Sequence, residues 1–214
     1  MDFYVVAFSD RPWPRRKIRG RWYQSIPLGP TSPVHAIGEK RTAAPALDDD
    51  ELRHQHAVVR ALWAEQTILP VRFGAQVNHA ALEGALASHA ETLSRGLDDV
   101  RDRVQMTVRF VGERPHPPDV ATAAASSGRE YLERRRASSV AALSADAAAF
   151  LAPLERLAAR HRVEPGAGNL PATAYHLVQR NQVNRYLEMA GDAKRVGAVV
   201  TGPFPPFAFT PAIL

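Results

Sequence analysis

Residues 104–110, Val-Gln-Met-Thr-Val-Arg-Phe, alternate apolar and polar without a break, and that alternation limits what the second half of the chain can fold into. At a period of two, Val104, Met106, Val108 and Phe110 point one way and Gln105, Thr107 and Arg109 the other, so the spacing predicts a half-buried strand. Its apolar face needs a cover. Ser127 and Glu130 have the spacing of a capping box. Beyond them Leu143, Ala147, Phe150, Leu151, Leu154 and Ala158 form the stripe of a helix running to about Ala159. An interior proline costs about 3 kcal/mol, so a kink or break is expected at Ala152-Pro153. A strand at 162–164, a turn at 165–169 and a strand at 173–179 follow. Then come a short helix with Val183, Leu187 and Ala190 inward and Gly191 as its stop, and a strand at 196–200. The order is βαββαβ, that of the ferredoxin-like split motif.

The first hundred residues read as a separate α+β unit, which divides the chain into an N-terminal domain at 1–101 and a ferredoxin-like domain at 102–214 with a Pro/Phe-rich tail. Phe3 to Phe8 are β-branched and aromatic, as in a buried strand. Residues 10–47 hold many prolines and glycines and predict irregular hairpins. Asp48-Asp49-Asp50-Glu51 suits the positive end of a helix dipole, and Asp48 with Glu51 has capping-box spacing. Leu52, His56, Val59 and Trp63 then predict a helix to about residue 65, with His54 and His56 too far apart in angle to clamp one ion. Ile68 to Gly74 is a strand candidate with Pro70 at its start or on an edge. Asn78 is a plausible N-cap for a helix striped by Leu82, Leu86, Ala90, Leu93 and Leu97.

Charge is unevenly placed. The chain carries 27 basic and 22 acidic residues, a net +5. Arg11, Arg15, Arg16, Lys17, Arg19 and Arg21 fall together with no acid among them, and without them the remainder has 21 basic and 22 acidic residues. Trp13, Trp22 and Tyr23 interleave with these cations, a pairing that nucleic-acid binders use. The bland reading, a solvated hairpin whose tryptophans pack back on the domain, outweighs it because a basic footprint normally covers a whole face. A nucleic-acid-binding ferredoxin-like module therefore stands as the second function.

Catalytic signatures are missing: G-x-S-x-G, H-E-x-x-H, the P-loop and G-x-G-x-x-G do not occur. Eight histidines lie scattered without ligand spacing, and the chain has no cysteine, which excludes thiolate metal sites and cysteine nucleophiles. No catalytic, cofactor or metal residue is nominated, and no cofactor is expected. Hydrophobic residues make up 45% and charged residues 23%, ordinary for a globular protein. No run approaches the ~18 apolar residues of a membrane span. The opening residues lack the basic and apolar regions of a secretory signal, and a cytoplasmic location is the expectation.

The C-terminus is unusual. In Thr201-Gly202-Pro203-Phe204-Pro205-Pro206-Phe207-Ala208-Phe209-Thr210-Pro211, four prolines forbid a central strand and favour extended geometry. Its phenylalanines either complete the core of their own domain, as a strap, or present a preorganised apolar surface to a partner.

Several segments together resemble the gas vesicle protein F/L family. Thr67 to Ala75 is similar to the family's tvLPvRFGt stretch, Gly128-Arg129-Glu130-Tyr131-Leu132 to its GRaYL helix start, Ala174 to Arg180 to aYLVdr, and Thr201 to Thr210 to tGPWPPYsFv. Phe204 stands where the family has tryptophan, Phe207 where it has tyrosine, and Ala208 where it has serine, which removes polar handles from the tail. The resemblance implies a non-enzymatic accessory or minor structural protein of gas vesicles. Its fold would pair an N-terminal α+β domain with a modified ferredoxin-like domain, and its partners would be the small hydrophobic shell protein and other vesicle proteins. Apolar shell monomers aggregate in water unless covered or aligned. Pro203, Phe204, Pro205, Pro206, Phe207 and Phe209 are the first candidates for that contact, and Arg72 and Phe73 the second.

Overall fold

The computed structural model describes residues 2–29, 31–43, 45–78, 82–111, 143–164 and 172–213. Contacts cluster into two compact units, Met1–Val104 with Phe204–Leu214, and Gln105–Pro203. The tail, expected with the second half, thus groups with the first unit, and the division falls at Val104/Gln105 rather than 101/102.

In the first unit, β1 (Asp2–Ser9) is flanked on one side by β4 (His35–Arg41) and on the other by β5 (Ile68–Pro70) and β6 (Gln76–Asn78), all antiparallel. β3 (Arg21–Pro27) and β2 (Arg16–Ile18) extend the sheet beyond β4, giving the order β2-β3-β4-β1-β5. Being central, β1 buries seven of its eight residues, facing both ways, which is why it reads as an unbroken apolar run. The prolines and glycines of 10–47 thus punctuate a regular meander.

α1 (Asp49–Glu65) packs on β1. Asp48 caps it, its Oδ1 accepting the Glu51 N–H at 2.8 Å. The reciprocal half of the capping box is not made, because the Glu51 carboxylate turns to Arg21 and Arg41. The buried face is Gln55, Val58, Val59 and Leu62, about one position off the expected stripe, and Leu52 is exposed. Val58, Val59 and Leu62 join Tyr4, Val6, Tyr23, Ile37 and Ile68 in one core cluster.

The helix expected after Asn78 is two helices, α2 (Leu82–Ala87) and α3 (Ala90–Val100). The chain turns between them, with the His89 N–H donating to the Leu86 carbonyl at 3.0 Å. Asn78 ends β6 instead of capping a helix. Leu82, Leu86, Leu93 and Leu97 are nonetheless all buried.

In the second unit the sheet order is β10 (Ala198–Phe204), β7 (Arg103–Phe110), β9 (Thr173–Gln179), β8 (Ala158–Glu164). Counted within the unit this is 4-1-3-2, the order a split βαββαβ chain gives when its first and third strands lie at the centre. Because β7 is central, Gln105 and Thr107 are buried with the apolar residues, and of the polar face only Arg109 is exposed. Gln105 Nε2 donates to Thr107 Oγ1 at 3.3 Å, so the buried amide has a partner.

α4 (Ala145–Leu157) is capped by Ser144 and packs on β8, β9 and α5 (Val183–Met189). It runs through Pro153 without the expected break. The carbonyl that loses its donor belongs to Ala149 on the exposed side, where water can satisfy it. The Ser127–Glu130 capping box and the Gly128–Leu132 segment lie outside the described residues. In α5 the inward residue is Tyr186, while Leu187 is exposed. β10 is an edge strand that ends in the proline-bearing segment, with Gly202-Pro203 in cis. Gly202 is required there: its φ is +132°, and a Cβ would lie 2.8 Å from Met106 Sδ and 2.9 Å from the Gln105 carbonyl oxygen.

Candidate functional site

The two segments singled out by the sequence meet in the first unit. β5 and β6 pair with the same strand, β1, at Ala7–Ser9 and Asp2–Tyr4 respectively. Residues 71–75 between them form an excursion from the ladder, where a continuous strand to Gly74 was expected. It sits beside a register shift in β1 between Val5 and Ala7, and such a bulge re-aims the backbone. The Val71 N–H donates to the Val6 carbonyl at 2.9 Å, and the Val5 N–H to the Ala75 carbonyl at 3.0 Å. Both ends of the excursion are therefore pinned.

Side chains fix its middle. The Tyr4 hydroxyl donates to Gln55 Oε1, Gln55 Nε2 donates to the Val71 carbonyl at 2.9 Å, and the Gly74 N–H donates to the Tyr4 oxygen at 3.3 Å. Burial pushes the Tyr4 phenol pKa up, against the opposing effects of the Gly74 N–H and Arg41, so it stays protonated as a donor. Phe73 stands edge-on to the Tyr4 ring at 6.2 Å between centroids, a favourable aromatic arrangement. Gly74 supplies a φ of +92°, accessible to glycine at no steric cost. Arg72 is left exposed at the apex and Phe73 half-buried.

The tail lies alongside. A 3-10 turn at Phe207–Phe209 contacts β5, Phe207 packs against the core cluster, and Phe209 is buried. Pro211 approaches Gly96 of α3. Pro205 and Pro206 are also buried. The strap reading therefore describes most of this segment, and of the nominated tail residues Phe204 and Phe207 are half-buried and Pro203 is exposed. The geometry brings Phe207 and Phe209 to the strand that launches the Arg72-Phe73 excursion.

The basic segment is a hairpin, β2 and β3. Trp13 is buried, with the Arg16 guanidinium 3.8 Å from its ring centroid, and Arg16 pairs with Glu65. Arg21 bonds Glu51 bidentately, with Nη1 to Oε2 at 2.8 Å, and Arg41 reaches Glu51 at 3.0 Å and Glu39 at 2.7 Å. The Arg21 hydrogen bond holds the Glu51 carboxyl down to about 2. The Tyr23 hydroxyl and His54 Nε2 share a hydrogen bond at 2.9 Å, and burial first, then Arg21, lowers the His54 pKa. Sequence reasoning missed this ion cluster; its only signal was the charge on residues 21, 39, 41 and 51.

Among the described residues no group of three metal-ligating side chains converges, and no helix is long and apolar enough to cross a membrane. The chain is thus an α+β protein whose second sheet has the split βαβ order and whose first unit carries a pinned loop beside an aromatic strap. It belongs to the gas vesicle synthesis protein GvpL/GvpF family, whose model matches residues 29–211. In fold it is similar to the crystal structure of the gas vesicle protein GvpF from Anabaena sp. PCC7120, with a TM-score of 0.68 at 15% identity over 98% of each chain. It is likewise similar to that of GvpF from Microcystis aeruginosa, with a TM-score of 0.69 at 11% identity, covering 98% of this chain and 99% of the other. Comparison with curated protein sequences gives no match.

Proposed function

We propose that this protein serves gas vesicle assembly as an accessory or minor structural component, binding the small hydrophobic shell protein and other vesicle proteins through the loop and strap of its first unit. One observation carries the reading: the Phe207–Phe209 turn of the tail contacts β5, the strand that leads into the Arg72-Phe73 loop, and Arg72, Phe73, Phe204 and Phe207 each keep accessible surface. A rigid apolar patch loses little conformational entropy on docking, and aromatic residues with an arginine are the types that dominate binding energy at interfaces. Pro205, Pro206 and Phe209 act from beneath by holding the strap. Pro203, the last residue of the second unit, is exposed in β10. No bond is made or broken in this role.

The test is the aggregation of purified shell protein, followed by light scattering as it is diluted from denaturant. The intact chain is expected to delay aggregation in proportion to its amount. Phe204→Asp combined with Arg72→Glu, still folded by circular dichroism, is expected to lose the effect. Unchanged aggregation with the intact chain refutes the proposal.

A further inference from the structure

On the β2–β4 part of the first unit lies a groove of about 590 Å³, lined by Arg15, Arg21, Trp22, Gln24, Glu39 and Lys40. The Trp22 indole in its lining is 48% exposed, an uncommon state for so large an apolar ring. The Arg15 guanidinium lies 4.7 Å from the Trp22 ring centroid and the Lys17 ammonium 5.3 Å. The cation–π attraction holds both charges over the ring.

The charges are unequal in what they leave free. Glu39, the one acid in the lining, is taken up by Arg41 at 2.7 Å and by Arg21 at 3.7 Å, and Arg21 is further occupied by Glu51. Arg15, Lys17 and Lys40 have no ion-pair partner among the described residues, and all three are exposed. The groove thus holds one exposed indole among polar side chains, with Arg15 and Lys40 in its lining and Lys17 over the ring as cations without an acidic partner among the described residues.

We infer that this groove is a docking site for an acidic peptide segment of a protein partner, one apolar or aromatic side chain lying on Trp22 and flanking carboxylates meeting Arg15, Lys17 and Lys40. Two features favour a peptide over nucleic acid. A polynucleotide asks for cations along a track with successive stacking surfaces, whereas these ring a single indole; Trp13 is buried beneath Arg16 and Trp63 packs against the core. A nucleic-acid footprint normally covers a whole face with cations, whereas outside residues 11–21 the chain has 21 basic and 22 acidic residues. Guanidinium and ammonium groups around an aromatic floor match carboxylates spaced about an apolar residue.

The experiment is fluorescence titration of the full chain with a synthetic glutamate-rich peptide carrying a central leucine, beside the same peptide with lysine for glutamate and a single-stranded oligonucleotide. Saturable binding of the glutamate peptide, weakened by salt, is expected. Trp22→Ala is expected to weaken it about tenfold, and R15E/K40E to abolish it. R60E/R95E, which changes net charge equally outside the groove, is expected to bind like the parent. Trp22, Arg15 and Lys40 contribute little to the core, and circular dichroism checks each variant. The proposal is overturned if no glutamate peptide binds, if R60E/R95E loses binding as R15E/K40E does, or if the oligonucleotide binds more tightly in a Trp22-dependent way.

Discussion

Two ionisable residues, one buried and one partly exposed, give the protein a definite response to pH. His176 is fully buried in β9 and shares a hydrogen bond of 2.5 Å with the Tyr186 hydroxyl. Burial first, and then the neighbouring His161 charge, lowers its pKa from 6.5 to about 4. The unfolded chain therefore takes up a proton at a pH where the folded one does not, and stability falls as pH drops from 6.5 towards 4, by about 3 kcal/mol in all. His176→Gln, which keeps a polar neighbour for Tyr186 but does not titrate, is expected to flatten that slope in urea unfolding; equal slopes in both proteins would refute it. Glu51 behaves in the other range. Its folded pKa is held at about 2 against an ordinary 4.5, chiefly by the Arg21 hydrogen bond, so its contribution is fully present above pH 4.5 and disappears as pH falls through about 2. Arg21 is 35% exposed, and with solvent screening the contribution is about 2 kcal/mol. Glu51→Gln is expected to lose that amount at pH 7, with the gap to the parent narrowing in acid.

At the scale of elements, sequence patterns worked where one physical rule acted alone. β9 was legible to the residue, and β1 and β7 to within one at each end, because apolar runs and alternation mark strands; the burial of Gln105 and Thr107 in β7 was not, since it depends on the strand's central place in the sheet. α1 was legible in position but not in rotation: Gln55, a polar residue, is buried because its amide ties Tyr4 to the Val71 carbonyl, and hydrophobic periodicity cannot see a satisfied polar group. Pro153 does not break α4: the Ala149 carbonyl it orphans lies on the exposed side, where water meets the hydrogen-bond part of the proline's cost. The β5–β6 excursion was illegible, since it depends on a register shift in a strand some seventy residues away. The strap was half-read; composition raised it, but only the fold assigns it to the first unit. From that assignment, Phe209→Ala is expected to cost about 3 kcal/mol of stability, measured by denaturant unfolding, whereas Phe204→Ala is expected to cost less than about 1 kcal/mol. Similar losses at both positions would contradict the division between a buried anchor and an accessible contact.

For the molecule as a whole, the chain belongs to the GvpL/GvpF family and shares its fold with two solved GvpF structures at 11–15% identity. The first unit carries two separate surfaces, the loop-and-strap patch and the cationic groove, whose chemistries differ enough to engage different partners. Apolar contact at the first is expected to resist salt; charged contact at the second is expected to weaken with it. The claim on which the functional account rests is adhesion to the shell protein through the patch. Its most direct measurement is the capture of purified shell protein by the immobilised full chain in high and low salt. Retention at both salt concentrations, lost at least tenfold in a folded R72E/F204D variant and kept in R15E/K40E, is the expected result. Absence of retention, or equal retention by R72E/F204D, would contradict it.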